Sequence, residues 1–310
     1  MHISKKITNK KIKIITHNGD FHADEIFAVA VVTLFLGDTP YKIIRSRDIK
    51  IISQGDFVVD VGDVYNSAKN KFDHHQTINN NIRANGIPYA SFGLVWKKFG
   101  VKLSGSKYAA NVIEKRLVLP IDAVDNGVDV FSKTVKDIVP YTIHNILKIF
   151  CPIEKEKITE QKFNIAFKKM VKLAQKILLY EIQQARNENK HRKYIEQAYQ
   201  RAKDKRIIII NGDYLYREII TRFKEPLFIV KPDKNNDQWK VRVIRDNPYS
   251  SFENRKDLPQ NWAGKRDAEL VKETGVKDAI FCHKNLFVAV AKSKEGAIEL
   301  AKQAVENNEV

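Results

Sequence analysis

The chain has little sulfur: only Cys151 and Cys282 in 310 residues. Two distant thiols cannot build a disulfide framework or a cysteine-based zinc site, and so low a count fits a reducing compartment. No run of 18 apolar residues occurs, so no transmembrane helix and no membrane partner are expected. The opening stretch, MHISKKITNKKIKIITHNGD, lacks an apolar h-region, a small-residue cleavage site and any arginine. It reads as a basic lead-in to a strand, not as a secretory signal or transit peptide. An intracellular protein is expected, cytoplasmic or nuclear, with the mitochondrion left open. Acidic residues are outnumbered, 37 against 54 basic ones, for a formal net charge of +17. That excess favours a polyanionic partner, nucleic acid first, while a general richness in Lys, Ile and Asn accounts for part of it.

What is present is an apolar fraction of 43%, enough for real cores, in a chain long enough for two domains. Residues 1–150 alternate strand-like and helix-like stretches, the pattern of α/β units on a parallel sheet. Short β-branched runs predict strands over 11–16, 41–45 and 57–61, and helices are predicted over 24–36, 89–99 and 107–118. Residues 156–205 contain neither Pro nor Gly and repeat apolar positions at helical spacing, which predicts a long helix within a connector spanning 151–205. Its charged second half reads as a solvated face. Residues 206–310 return to strands (206–211, 226–230, 239–245 and a hairpin over 279–291) and end in a helix over 294–305, a smaller α+β domain.

Five of the eight histidines fall in the first 75 residues. THNGDFHADE (16–25) offers His17, His22 and Asp24, with Asp20 and Glu25 nearby; VVDVGD places Asp60 at a strand end; KFDHHQ crowds Asp73, His74 and His75 together; IDAVDNG brings Asp122 and Asp125. Mixed His/Asp ligation without Cys suits Mn²⁺ or Mg²⁺, with Fe²⁺ or Co²⁺ as alternatives, better than structural zinc. Several carboxylates are what two divalent ions about 3.5–4 Å apart require in a phosphoesterase. Two adjacent histidines allow one to face metal and the other to face substrate.

The order H-N-G-x-F-H-x-D-E, D-V-G, F-D-H-H-Q, D-x-x-D-N-G resembles the DHH phosphoesterase superfamily. It resembles more closely the MYG family, the melanocyte-proliferating-gene exonucleases. The resemblance runs along nearly the whole chain and takes in SFENRKDLPQNWAGKRDAEL and AIFCHKNLF near its end. It implies an α/β protein with a DHH-like, parallel-sheet catalytic domain at 1–150, the helical connector, and a second domain at 206–310 that closes over substrate. It further implies a 3′→5′ exonuclease that uses two divalent ions, Mn²⁺ or Mg²⁺, on the single-stranded 3′ end of RNA. By this resemblance His17, His22, Asp24, Asp60, Asp73, His74 and Asp125 match metal ligands, with Asp60 the bridge and Asp122 a competitor of Asp125. His75, alongside Asp73, matches the catalytic, substrate-facing group. Three positions depart from the family pattern: Asp63 where a second Gly is usual, Asn66 where Asp is common, and Cys151–Pro152 where Asn-Pro is common.

For substrate, Arg242, Lys265, Arg266 and His283 are the leading phosphate ligands. Arg245, Arg255 and Lys256 are further cations, and Trp239, Trp262, Phe252 and Tyr249 are candidates for base stacking. Two other readings stand beside the nuclease: a hydrolase of small phosphoesters such as pyrophosphate or cyclic dinucleotides, and a non-catalytic RNA-binding protein. The sequence leaves the oligomeric state open.

Overall fold

β-Branched and apolar residues in short runs make the strands here, and the ends of those strands position the site. IKIIT forms β1 (Ile12–Thr16), at the heart of a sheet ordered β2-β1-β3-β5-β4, where β2 is Tyr41–Arg45, β3 Phe57–Val59, β4 Tyr65–Asn66 and β5 Lys71–Phe72. The computed structural model describes residues 11–75, 81–132, 135–152, 159–233, 236–247 and 253–307. The pairs β1–β2, β1–β3 and β3–β5 are parallel, as expected, whereas edge strand β4 runs antiparallel to β5, with Tyr65 opposite Phe72. Because β1, β3 and β5 run the same way, His17, Asp60 and Asp73, each the first residue past a strand, emerge along one edge of the sheet. Open α/β sheets place their ligand sites at that carboxyl edge.

Helix α1 (Ala23–Leu36) is apolar on every side, and each residue from Ala23 to Thr33 is buried, a wider burial than the one stripe expected from periodicity. It packs against α3 (Ser91–Ser104). The short α2 (Ile49–Ile52) lies between β2 and β3. The helix predicted over 107–118 is α4 (Lys107–Ile113) continued by a π turn, Glu114–Val118, into α5 (Leu119–Asp125). Pro120 in the first turn of α5 cannot donate to the carbonyl four residues back, and a widened turn is the usual accommodation. A short α6 (Ile143–Lys148) follows, then the 42-residue α7 (Glu160–Arg201), close to the predicted span.

The chain divides into two compact units, 1–186 and 187–310, and the division falls within α7. The core of the first is built on Phe27, Phe72, Phe92 and Phe167, each fully buried. The second unit contains a sheet ordered β6-β7-β8-β10-β9: β6 (Ile207–Ile209), β7 (Phe228–Asp233), β8 (Gln238–Val243), β9 (Ala279–Cys282) and β10 (Val288–Ala291). Only β6–β7 is parallel, and β9–β10 is the predicted hairpin. The sheet is flanked by α8 (Arg217–Ile220), α9 (Asp267–Thr274) and α10 (Lys294–Glu306), and α10 packs on β7, β8 and β10. Among the described residues the fold is thus mixed α/β with two five-stranded sheets. Among the described residues no helix is long and apolar enough to cross a membrane.

Candidate metal centre

The loop after β1 is held from beneath by Arg45 at the end of β2. Its Nε donates to the His17 carbonyl at 3.1 Å and its Nη2 to the Gly19 carbonyl at 2.6 Å, while the guanidinium lies 4.7 Å from the Phe167 ring centroid. His17 Nδ1 is 3.1 Å from the Asn18 carbonyl, which directs Nε2 inward. There Nε2 stands 3.2 Å from Glu25 Oε1 and 3.4 Å from Asp60 Oδ2. Burial works to lower the His17 pKa, but the hydrogen bonds to Asp60 and Glu25 outweigh it and raise it to about 10.

Asp60 is the meeting point. Its other oxygen, Oδ1, is 3.4 Å from His74 Nε2 and 3.6 Å from His75 Nδ1, and accepts the Ser91 hydroxyl at 3.2 Å. Burial opposes the Asp60 charge, yet hydrogen bonds from His17 and His74 hold its pKa far below the usual carboxylate range. The residue adopts φ 55°, a left-handed backbone that Asp tolerates better than most side chains. His74 Nε2 also lies 3.2 Å from Asp125 Oδ2. Desolvation pulls the His74 pKa down, but Asp125 and Asp60 raise it to about 11.

The N-terminus of α3 anchors two further carboxylates. Asp24 accepts the Ser91 N–H at 3.0 Å and the Phe92 N–H at 2.6 Å, and Asp122 accepts the Gly93 N–H at 3.0 Å. These orphan amides and the helix dipole favour negative charge. Asp24 is completely buried, and burial followed by repulsion from Asp125, Asp60 and Asp122 drives its pKa well up. Asp122 and Asp125, inseparable by spacing, part company here: Asp122 Oδ2 accepts Arg83 Nη2 at 2.6 Å, while Asp125 faces His74. At Gly93 a β-carbon would lie 1.9 Å from Asp122 Oδ2, so only glycine allows this approach.

Asp73 plays a different part from its neighbours. Its oxygens accept the Asp63 N–H at 2.7 Å and the His75 N–H at 3.1 Å, and Oδ1 lies 2.7 Å from His75 Nδ1. Burial works against its charge, but the His75 bonds and the Asp63 amide lower its pKa. Asp73 is 1% exposed whereas the His75 side chain is 56% exposed, so the pair points a carboxylate-backed imidazole outward. The Asp73 hydrogen bond raises the His75 pKa against desolvation.

Three groups of donors lie close enough to hold an ion: His17, His22 and Glu25; Asp60, His74 and His75; Asp24, His74 and Asp125. In each, the three donor atoms lie within 4.8 Å of one another. All seven proposed ligands are gathered here except Asp73, which adjoins through His75. Glu25, in the sequence only a neighbour of the candidate ligands, is completely buried, and its Oε2 has no hydrogen-bond partner among the described residues. The signal for it was spacing: Oε1 accepts the His22 N–H at 2.8 Å, a reach back of three residues at a helix start. Imidazoles, carboxylates and an unsatisfied buried carboxylate oxygen are donors that a divalent metal ion can take up.

The second unit's candidates divide. Lys265 Nζ is held by Glu273. Arg266 is exposed and lies 4.7 Å from the Phe281 ring centroid. His283 Nδ1 accepts the Asn285 N–H at 3.0 Å, which leaves the proton on Nε2, and its ring is 4.2 Å from that of Phe287. Arg242 lies 5.7 Å from the same Phe287 ring. Arg255 and Lys256 serve the fold: Arg255 binds Asp246 and the carbonyls of Phe223 and Pro226, and Lys256 binds those of Val305 and Asn307. Trp262 is buried in the core, Trp239 is half-buried, and Tyr249 and Phe252 lie outside the described residues.

A sequence model described as an uncharacterised protein family, UPF0160, matches residues 13–305. Similar proteins include one named MYG1 protein from Dictyostelium discoideum, 28% identical over 320 residues, covering 94% of this chain and 95% of its own. One named MYG1 protein from Chlamydia pneumoniae is 30% identical over 293 residues, 90% of this chain and 92% of its own. One named MYG1 exonuclease from Rattus norvegicus is 28% identical over 326 residues, 94% of this chain and 84% of its own.

Proposed function

The chain belongs to the MYG1 family (UPF0160), and from that membership we propose that it is a metal-dependent exonuclease removing nucleotides from the 3′ end of single-stranded RNA. The observation that carries the reading is Asp60, whose two oxygens lie 3.4 Å from His17 and 3.4 Å from His74 and so join donor groups from separate segments. A relative named as an exonuclease supports the reaction class, and the +17 charge supports a polyanionic substrate.

In this proposal His17, His22, Glu25, Asp24, Asp60, His74 and Asp125 would hold two divalent ions, Mn²⁺ or Mg²⁺, with Asp60 the residue that both donor groups have in reach. Bound there, the ions supply Lewis acidity toward a phosphoryl oxygen and ease deprotonation of water. His75 carries the proton for the leaving oxygen on Nε2, because Asp73 engages Nδ1. A direct bond from Asp73 to an ion, as the DHH resemblance implies, is compatible with the lone pairs that its three hydrogen bonds leave over. Arg242, Arg266 and His283 hold the strand.

The test is hydrolysis of 5′-labelled single-stranded RNA with Mn²⁺ or Mg²⁺, beside DNA, dinucleotides and pyrophosphate. A ladder shortening from the 3′ end, lost on chelation and in His74→Asn, is expected. Faster turnover of pyrophosphate or dinucleotides than of RNA would move the substrate to small phosphoesters. No hydrolysis of any of them by metal-loaded protein would overturn the enzyme reading.

A further inference from the structure

Within the second unit a cavity of about 60 Å³ opens between α8 and the end of β8, lined by Tyr216, Arg217, Thr221, Arg242, Arg245 and Phe287 among others. Three arginines line it, and among the described residues no aspartate or glutamate does. Arg245 Nε donates to Asn254 Oδ1 at 3.1 Å. The nearby Asp246 is engaged by Arg255 at 2.7 Å. Among the described residues no carboxylate or carbonyl meets the Arg217 or Arg242 guanidinium. Like charges gathered in a concavity repel unless an anion lies among them. Planar guanidinium forks match phosphate oxygens in geometry as well as charge.

We propose that the Arg217/Arg242/Arg245 pocket is a phosphate-binding subsite taking a phosphodiester of a single-stranded oligonucleotide. The Phe287 ring ties it to the rest of this surface: Arg242 lies 5.7 Å from its centroid, and the His283 ring lies 4.2 Å from it. Aromatic faces beside cations are how sequence-tolerant strand binding is built, with bases stacked between held phosphates. An acidic peptide would use the arginines and leave the aromatic face without a role. The choice of a nucleic acid strand rests on the nuclease reading; the phosphate chemistry of the pocket does not.

The experiment is fluorescence anisotropy of a labelled 12-nucleotide single-stranded RNA on the full chain in EDTA, titrated with KCl. Arg217→Ala and Arg242→Gln are each expected to weaken binding roughly 5- to 50-fold and to reduce the slope of log K against log salt by about 0.7, the share of one phosphate. Lys272→Ala, an exposed charge on α9, is expected to change affinity less than twofold. With adenosine 5′-monophosphate titrated in parallel, unchanged affinity for both ligands and an unchanged salt slope in both arginine variants would overturn the subsite. Loss of adenosine 5′-monophosphate binding with 12-mer affinity intact would overturn the strand as its ligand. Arginine variants that lose binding in a protein with no nuclease activity would leave the pocket standing and sink the nuclease reading. Normal RNA hydrolysis with unaltered binding would do the reverse.

Discussion

Asp73, His74 and His75 are consecutive, yet each side chain has different company. Asp73 is buried behind His75, His74 faces Asp60 and Asp125, and His75 points outward. Although His75 lies within reach of the Asp60 and His74 donors, its proposed role is at the leaving oxygen: His75→Gln is expected to lower kcat by about 10²–10⁴ with a much smaller fall in Mn²⁺ content, checked by single-turnover kinetics and elemental analysis. A second expectation follows from charge. His17 and His74, with pKa values of about 10 and 11, are protonated at pH 7, and a divalent ion binds only the neutral imidazole. Mn²⁺ binding should release protons, and affinity should rise as pH climbs from 7 toward that range; calorimetry in buffers of different ionisation enthalpy measures both. The ligand residue types were readable in the sequence because chemistry restricts them to His and carboxylates. The choice between Asp122 and Asp125 was not, since it depends on Arg83, 39 residues from Asp122.

Helices place these side chains as much as strands do. The first turn of α3 holds Asp24 and Asp122 on its amides, and the π turn before Pro120 precedes the helix that carries Asp122 and Asp125. Asp122 is fully buried against Arg83, whose side chain is 8% exposed. Its truncation strands a guanidinium, so Asp122→Ala is expected to cost about 3–5 kcal/mol of stability, measured by urea unfolding, without altering ion stoichiometry in the folded fraction. Periodicity found β1, β2, α1 and the long α7 because each is several residues of one pattern. It passes over β4 and β5, two residues apiece, which form because β5 pairs with β3 and β4 in turn pairs with β5, not from any local pattern of their own. The strand placing Asp73 was thus invisible while Asp73 itself was not.

Over the whole molecule, the residues proposed to hold ions all belong to the unit spanning 1–186, and the Arg217/Arg242/Arg245 cavity belongs to the unit spanning 187–310. Saturating Mn²⁺ should accordingly slow hydrogen exchange over 17–25, 57–75 and 119–126 and leave 207–306 unaltered. At a hundredfold excess over Kd the expected stabilisation is about 2.7 kcal/mol. Protection spread evenly over both ranges would contradict confinement of the ions to the first unit. The sequence conveyed this separation of chemistries through composition, with histidines early and arginines late. It could not convey the Arg217/Arg242/Arg245 cavity, because α8 is a four-residue turn with no periodic signature.

The backbone of Asp60 sets the rules for interrogating the centre by saturation mutagenesis. At φ 55° a β-branched replacement is penalised before any ligand is lost, and alanine confounds twist with charge. Asparagine keeps the twist and removes the charge; glycine keeps the twist and removes the whole side chain. A tolerance profile in which Asn and Gly fold like the parent, while Val and Ile do not, would separate the conformational role of this position from its electrostatic one.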